Sequence, residues 1–89
     1  MKIHTIDPCY VKFIPDKLEE GLLYISEEFH TAIHLCACGC KEKTVTPLNG
    51  TMWTLKIIQG KPTLYPSIGN FHIPCKSHYF ITHGKVIVS

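Results

Sequence analysis

Thr51-Met52-Trp53-Thr54-Leu55-Lys56-Ile57-Ile58 alternates, with Trp53, Leu55 and Ile57 on one face, and Gln59-Gly60-Lys61-Pro62 then turns the chain into Thr63-Leu64-Tyr65. Period-2 alternation marks a half-buried strand, and two such runs around a glycine-containing turn make a hairpin. The same signal recurs outward from this point. Ser77 to Thr82 and Lys85 to Val88 read as two further strands joined by His83-Gly84. Toward the N-terminus, short strands are expected at Tyr10–Ile14, stopped by Pro15-Asp16, then at Gly21–Ser26, Ala32–Cys36 and Lys43–Thr46, the last ended by Pro47. Ser26-Glu27-Glu28-Phe29 resembles a helix start with Ser26 as cap, but no segment keeps helical periodicity over three turns. These readings give a mainly β chain, a small antiparallel-sheet, zinc-ribbon-like single domain over residues 1–89.

A chain of 89 residues buries a modest share of its unfolded surface, and domains of this size often add disulfides or a structural metal to a thin core. Five cysteines are available. The opening Met1-Lys2-Ile3-His4-Thr5-Ile6-Asp7-Pro8 has no apolar run of signal-peptide length, which leads to the expectation of a cytoplasmic setting, where disulfides are rare and clustered cysteines bind metal or do chemistry. An odd cysteine count also leaves one unpaired in any disulfide framework. The net charge of +2 comes from lysines scattered between Lys2 and Lys85, with no arginine. Arginine provides the fork that grips phosphates and guanine edges, so nucleic acid is a poor expectation as a partner. No apolar stretch nears the ~20 residues of a membrane span, and the expected partner is another protein.

Cys36-Ala37-Cys38-Gly39-Cys40 is the densest chemical feature, and Pro74-Cys75-Lys76-Ser77-His78 supplies a second half-site. Thiolates are soft ligands that bind zinc at ~2.3 Å, so several must converge on one point. Gly39 provides backbone angles that a chain turning around an ion requires. Cys36, Cys38, Cys40, Cys75 and His78 are therefore five candidate ligands for Zn2+, one more than a structural site takes. The preferred set is Cys38, Cys40, Cys75 and His78, with Cys36 as substitute. Cys9 is isolated and reads as an ordinary thiol. His34 reads as a strand residue, and Trp53, Tyr65, Phe71, Tyr79 and Phe80 as core. Ser67-Ile68-Gly69-Asn70 reads as a polar turn that could touch a partner.

The order of these motifs resembles a bacterial domain-of-unknown-function family (number 6527). The resemblance runs through His34-Leu35-Cys36-Ala37-Cys38-Gly39-Cys40, Val45-Thr46-Pro47-Leu48, Trp53-Thr54-Leu55, Leu64-Tyr65-Pro66-Ser67-Ile68-Gly69-Asn70-Phe71 and Pro74-Cys75-Lys76-Ser77-His78-Tyr79-Phe80-Ile81. Val11-Lys12-Phe13-Ile14-Pro15-Asp16 and Gly21-Leu22-Leu23-Tyr24 fit its start. Lys41 stands where glycine is common, Lys76 where arginine is common, and Phe71 and Phe80 where tryptophan is common. Members look like metal-binding proteins, and some are encoded beside ubiquitin-like proteins and their enzymes. The resemblance thus implies an accessory role in a bacterial ubiquitin-like modification or defence pathway.

Three functions follow as expectations. The leading one is a non-enzymatic zinc module with a closed, four-ligand site, binding a protein through loops at Leu48-Asn49-Gly50 and Ser67 to Asn70. The second is a zinc hydrolase in which Cys40-Lys41-Glu42 and Pro74-Cys75-Lys76-Ser77-His78 echo the deaminase pattern, with Glu42 moving the proton. The third is a nucleic-acid-binding zinc ribbon using Lys41, Lys43, Lys56, Lys61 and Lys76.

Overall fold

Two four-stranded sheets divide the chain at its midpoint. In the computed structural model, which describes residues 1–50 and 52–88, the first sheet has the order β1(Asp7–Tyr10), β2(Leu22–Ser26), β3(Thr31–Leu35), β4(Lys43–Pro47). The second has the order β5(Thr54–Ile58), β6(Lys61–Gly69), β7(His78–Thr82), β8(Lys85–Val88). The all-β class expected from the sequence is what the chain adopts. One ladder departs from the antiparallel expectation: β1 runs parallel to β2, from Asp7 opposite Leu22 to Tyr10 opposite Ile25. Parallel neighbours need a long crossover, and residues 11–21 supply it. The first strand accordingly starts and ends earlier than Tyr10–Ile14.

The Ser26 cap forms without a helix behind it. Its hydroxyl accepts from the Phe29 amide at 3.4 Å and donates to the Lys12 carbonyl at 2.9 Å, closing a single turn. His30 then takes a left-handed φ of 50°, and β3 begins. The hairpins β5–β6 and β7–β8 turn on Gln59-Gly60 and His83-Gly84, with positive φ at all four residues, the geometry that matches the twist of tight hairpins.

The sheets meet over Leu23 and Ile25 of β2, Ala32 of β3, Leu64 and Ile68 of β6, and Tyr79 and Ile81 of β7. Residues 3–6 lace the edges together. The Ile3 amide donates to Ala37 beside the cysteine loop, and the Ile6 amide donates to Gly84 in the β7–β8 turn. Burial alternates along the two strands that matter most for function. Ile68, Tyr79 and Ile81 are buried, while Ser67, Gly69, His78 and Phe80 lie half-buried on the opposite face. Among the described residues, no helix is long and apolar enough to cross a membrane.

Candidate active site and metal centre

The first cysteine loop leaves β3 as a tight knuckle. The Cys36 amide donates to the Glu42 carbonyl at 2.8 Å and the Gly39 amide to the Cys36 carbonyl at 3.1 Å. Gly39 has φ of 94°, and a Cβ there would lie 2.6 Å from Lys2 Cδ, so both conformation and space demand glycine. Lys41 also adopts a left-handed φ of 69°, a conformation that a glycine at this place would take without strain. The second loop, residues 70–77, is closed by the Asn70 amide on the Ser77 carbonyl (2.8 Å), with the Ile73 and Lys76 amides turning the chain inside it.

These loops bring Cys36, Cys38, Cys40 and Cys75 together, with all four sulfurs within 4.8 Å of one another. Cys36 Sγ is 3.5 Å from Cys38 Sγ and 3.7 Å from Cys75 Sγ. Zinc–sulfur bonds of ~2.3 Å in a tetrahedron place sulfurs roughly 3.8 Å apart, so the four donors are spaced for such an ion, and all four cysteines are free of disulfides. Neighbouring groups are arranged for thiolates. Asn70 Nδ2 donates to Cys36 Sγ at 3.3 Å, and Ser77 Oγ lies 3.0 Å from Cys36 Sγ and 3.3 Å from Cys75 Sγ. Hydrogen bonds from the Ser77 hydroxyl and amide hold the Cys75 thiol down to about 6. Loss of hydration, with the Cys40 and Cys36 sulfurs alongside, pushes Cys38 up to about 12, and loss of hydration raises Cys40 as well. Four sulfurs this close could hold a metal ion, and as thiolates they are the soft donor set that suits zinc.

His78 lies apart from the sulfurs. Its Nε2 is 2.8 Å from Ser67 Oγ, across the β6–β7 ladder. Ser67 follows Pro66 where the register shifts between Leu64 and Ile68, and irregularities of this kind re-aim side chains. Serine and imidazole within hydrogen-bond reach form the minimal arrangement for an activated nucleophile. In the sequence the Cys-x-x-His spacing marks His78 as a metal ligand and Ser67 reads as part of a polar turn, whereas Ser67 to Gly69 complete β6. The missed signal was the alternation Ser67-Ile68-Gly69 against His78-Tyr79-Phe80, which turns both polar residues to one sheet face.

The remaining candidates fall elsewhere. Glu42 is exposed, and its carbonyl caps the cysteine loop. His34 is buried with Nε2 2.7 Å from the Tyr79 hydroxyl, and loss of hydration lowers its pKa to about 4. Tyr79 also accepts from the Ala37 amide. Tyr65 and Phe71, expected in the core, are 70% and 64% exposed.

A family model described as "Bacterial ubiquitination-like system serine protease (BubE)" matches residues 10–89. No curated protein and no solved structure matches the chain.

Proposed function

The chain belongs to the family of the bacterial ubiquitination-like system serine protease BubE, and from that premise we propose that it is a serine protease whose nucleophile is Ser67 and whose general base is His78. The observation that carries this reading is the 2.8 Å contact between Ser67 Oγ and His78 Nε2. With the imidazole proton on Nδ1, Nε2 accepts the hydroxyl proton as Ser67 Oγ attacks a substrate carbonyl. The imidazolium then returns that proton to the leaving group, forming an acyl-serine. Water repeats the sequence in reverse and frees the carboxylate. The bond cleaved would belong to a protein of the ubiquitination-like system named by the family.

The four cysteines hold Zn2+ in this proposal, and a closed sulfur site supplies folding energy and rigidity and leaves no position for a reacting water. That closure speaks against the deaminase-like use of Glu42. A protein-binding role for the same chain is favoured by the exposed Tyr65 and Phe71 beside the pair, and it is compatible with proteolysis, because a protease must also dock its substrate.

The test is covalent labelling with a fluorophosphonate, which reports an activated serine without knowledge of the substrate. Labelling is expected on Ser67 and lost in Ser67→Ala and His78→Ala, with fold and metal content kept. Equal labelling of Ser67→Ala and the parent would overturn the assignment.

A further inference from the structure

We infer that Phe71 is a positioning residue that holds the His78 imidazole toward Ser67, and that Gly69 is the seat it requires; the inference rests on the reading of Ser67 and His78 as the catalytic pair. The Phe71 ring lies stacked on the His78 ring, with centroids 5.6 Å apart and planes 24° from parallel. Phe80 meets the same imidazole at an angle of 60° with centroids 6.2 Å apart. Gly69 pairs directly with His78 across the ladder. A Cβ at Gly69 would lie 2.7 Å from Phe71 Cε2, a distance that real Cβ contacts essentially never show, and a tight 3.1 Å from Cδ2. The phenyl ring therefore occupies the space that any side chain at position 69 would take, and from there it reaches back onto the histidine.

This contact explains why a large apolar ring stays 64% exposed while packing on a polar residue. The χ2 torsion of histidine is broad and roughly two-fold, so an unrestrained imidazole exchanges the nitrogen and carbon edges it shows to a neighbour. Only one of those arrangements gives Ser67 Oγ an acceptor at Nε2. A ring stacked on one face and another set at an angle limit the swing of that torsion, so that the hydrogen bond with Ser67 Oγ fixes which edge is presented. When His78 takes the serine proton, the resulting imidazolium also lies over an aromatic face, which attracts cations.

The experiment combines two readouts on zinc-loaded protein as purified. Long-range proton–nitrogen spectra of His78 give the tautomer and its averaging, independent of any activity. Fluorophosphonate inactivation, followed over a range of probe concentrations, separates the limiting rate from probe affinity. Phe71→Ala and Gly69→Ala are each expected to lower the limiting rate by about threefold to tenfold, the span of an aromatic contact, at unchanged probe affinity. Combined, they should cost no more than either alone, because both remove one contact. The His78 signals should change from one Nδ1–H form in the parent to an averaged set. Phe71→Trp should restore both readouts, whereas Phe71→Leu should not. Should Gly69→Ala fail to fold, the Phe71 series still decides. Parent tautomer and limiting rate in Phe71→Ala would overturn the proposal, as would a loss confined to probe affinity, which would make Phe71 a docking surface. An unlabelled parent Ser67 would sink the protease reading, and the tautomer measurement would then decide the role of Phe71 by itself.

Discussion

Asn70 carries more of the site than its place in a loop suggests. It is buried, its Nδ2 donates to Cys36 Sγ at 3.3 Å and to Thr44 Oγ1 at 3.1 Å, and its amide closes the 70–77 loop on Ser77. Asn70→Ala would leave a buried hydroxyl and a sulfur without their donor, a loss of about 1–3 kcal/mol. For a domain of this size that corresponds to a melting temperature lower by roughly 4–8 °C per kcal/mol, measurable by calorimetry. Asn70→Asp keeps the shape but sets a carboxylate against a thiolate, so the metal should leave at a lower chelator concentration than in the parent. Cys9→Ser, on β1 and outside the sulfur group, should leave both quantities unchanged; an equal effect at Cys9 would contradict the placement of the centre. At this scale the sequence displayed the clustered cysteines clearly, because cysteines in so short a stretch have few other uses, but it favoured His78 over Cys36 for the set of four that the structure brings together. It hid the Ser67–His78 pair for a physical reason. A histidine three residues after a cysteine has ligand spacing, and a serine between Pro66 and Gly69 has turn composition. Only cross-strand register shows that the two side chains meet.

The hairpins are the elements in which local chemistry and fold agree most closely. Gly60 and Gly84 both occupy left-handed positions, with φ of 76° and 77°. A Cβ at Gly60 meets nothing within 4 Å, whereas one at Gly84 lies 3.1 Å from Lys61 Cδ and 3.2 Å from the Ile6 carbonyl. Both alanine variants should lose the ~1 kcal/mol that left-handed backbone costs an L-residue. Gly84→Ala should lose more, since the crowding backbone of Ile6 belongs to the segment that laces the sheets. Denaturant unfolding of the pair tests this ordering, and equal losses would mean that the 3–6 segment yields without cost. These turns and the alternation of β5, β7 and β8 were readable because a two-residue period and a glycine turn are local signals. The β1–β2 parallel ladder was not, because β1 is four residues long and nothing in Asp7-Pro8-Cys9-Tyr10 records a partner lying beyond a crossover. The exposure of Phe71 escaped for a related reason. Its ring lies in the loop after β6 and is held by a histidine and the space above a glycine, not by the hydrophobic pattern of a strand.

Across the whole molecule, the sulfur centre joins what the chain order separates. Cys36, Cys38 and Cys40 follow the third strand of the first sheet, and Cys75 precedes the third strand of the second. The loop carrying Cys75 begins at the end of the strand that holds Ser67 and finishes at His78, so an ion held by the four sulfurs would anchor the segment between the two residues proposed as the catalytic pair. The sheets are also tied by a small core, the 3–6 segment, the His34–Tyr79 and Thr44–Asn70 hydrogen bonds and the exposed Lys61–Asp7 ion pair, a modest set for a chain of this length. Zinc sites of this kind contribute apparent binding energies of roughly 10–16 kcal/mol in small peptides at neutral pH, so metal and fold should be lost together. Elemental analysis of protein purified without added metal is expected to give close to one zinc per chain. Less than a tenth of an equivalent in folded protein would refute the centre. Cys75→Ser should be disordered or insoluble, and a strong chelator under reducing conditions should abolish cooperative melting and Ser67 labelling in parallel, with zinc restoring both. Cobalt provides the sharper separation between a structural and a reactive ion. Because the four donors are all sulfur and the Ser67–His78 pair is a separate group, cobalt-loaded protein should show thiolate-to-cobalt absorption yet label at the rate of the zinc form. A rate that changes with the metal while the melting temperature does not would place the ion in the chemistry after all.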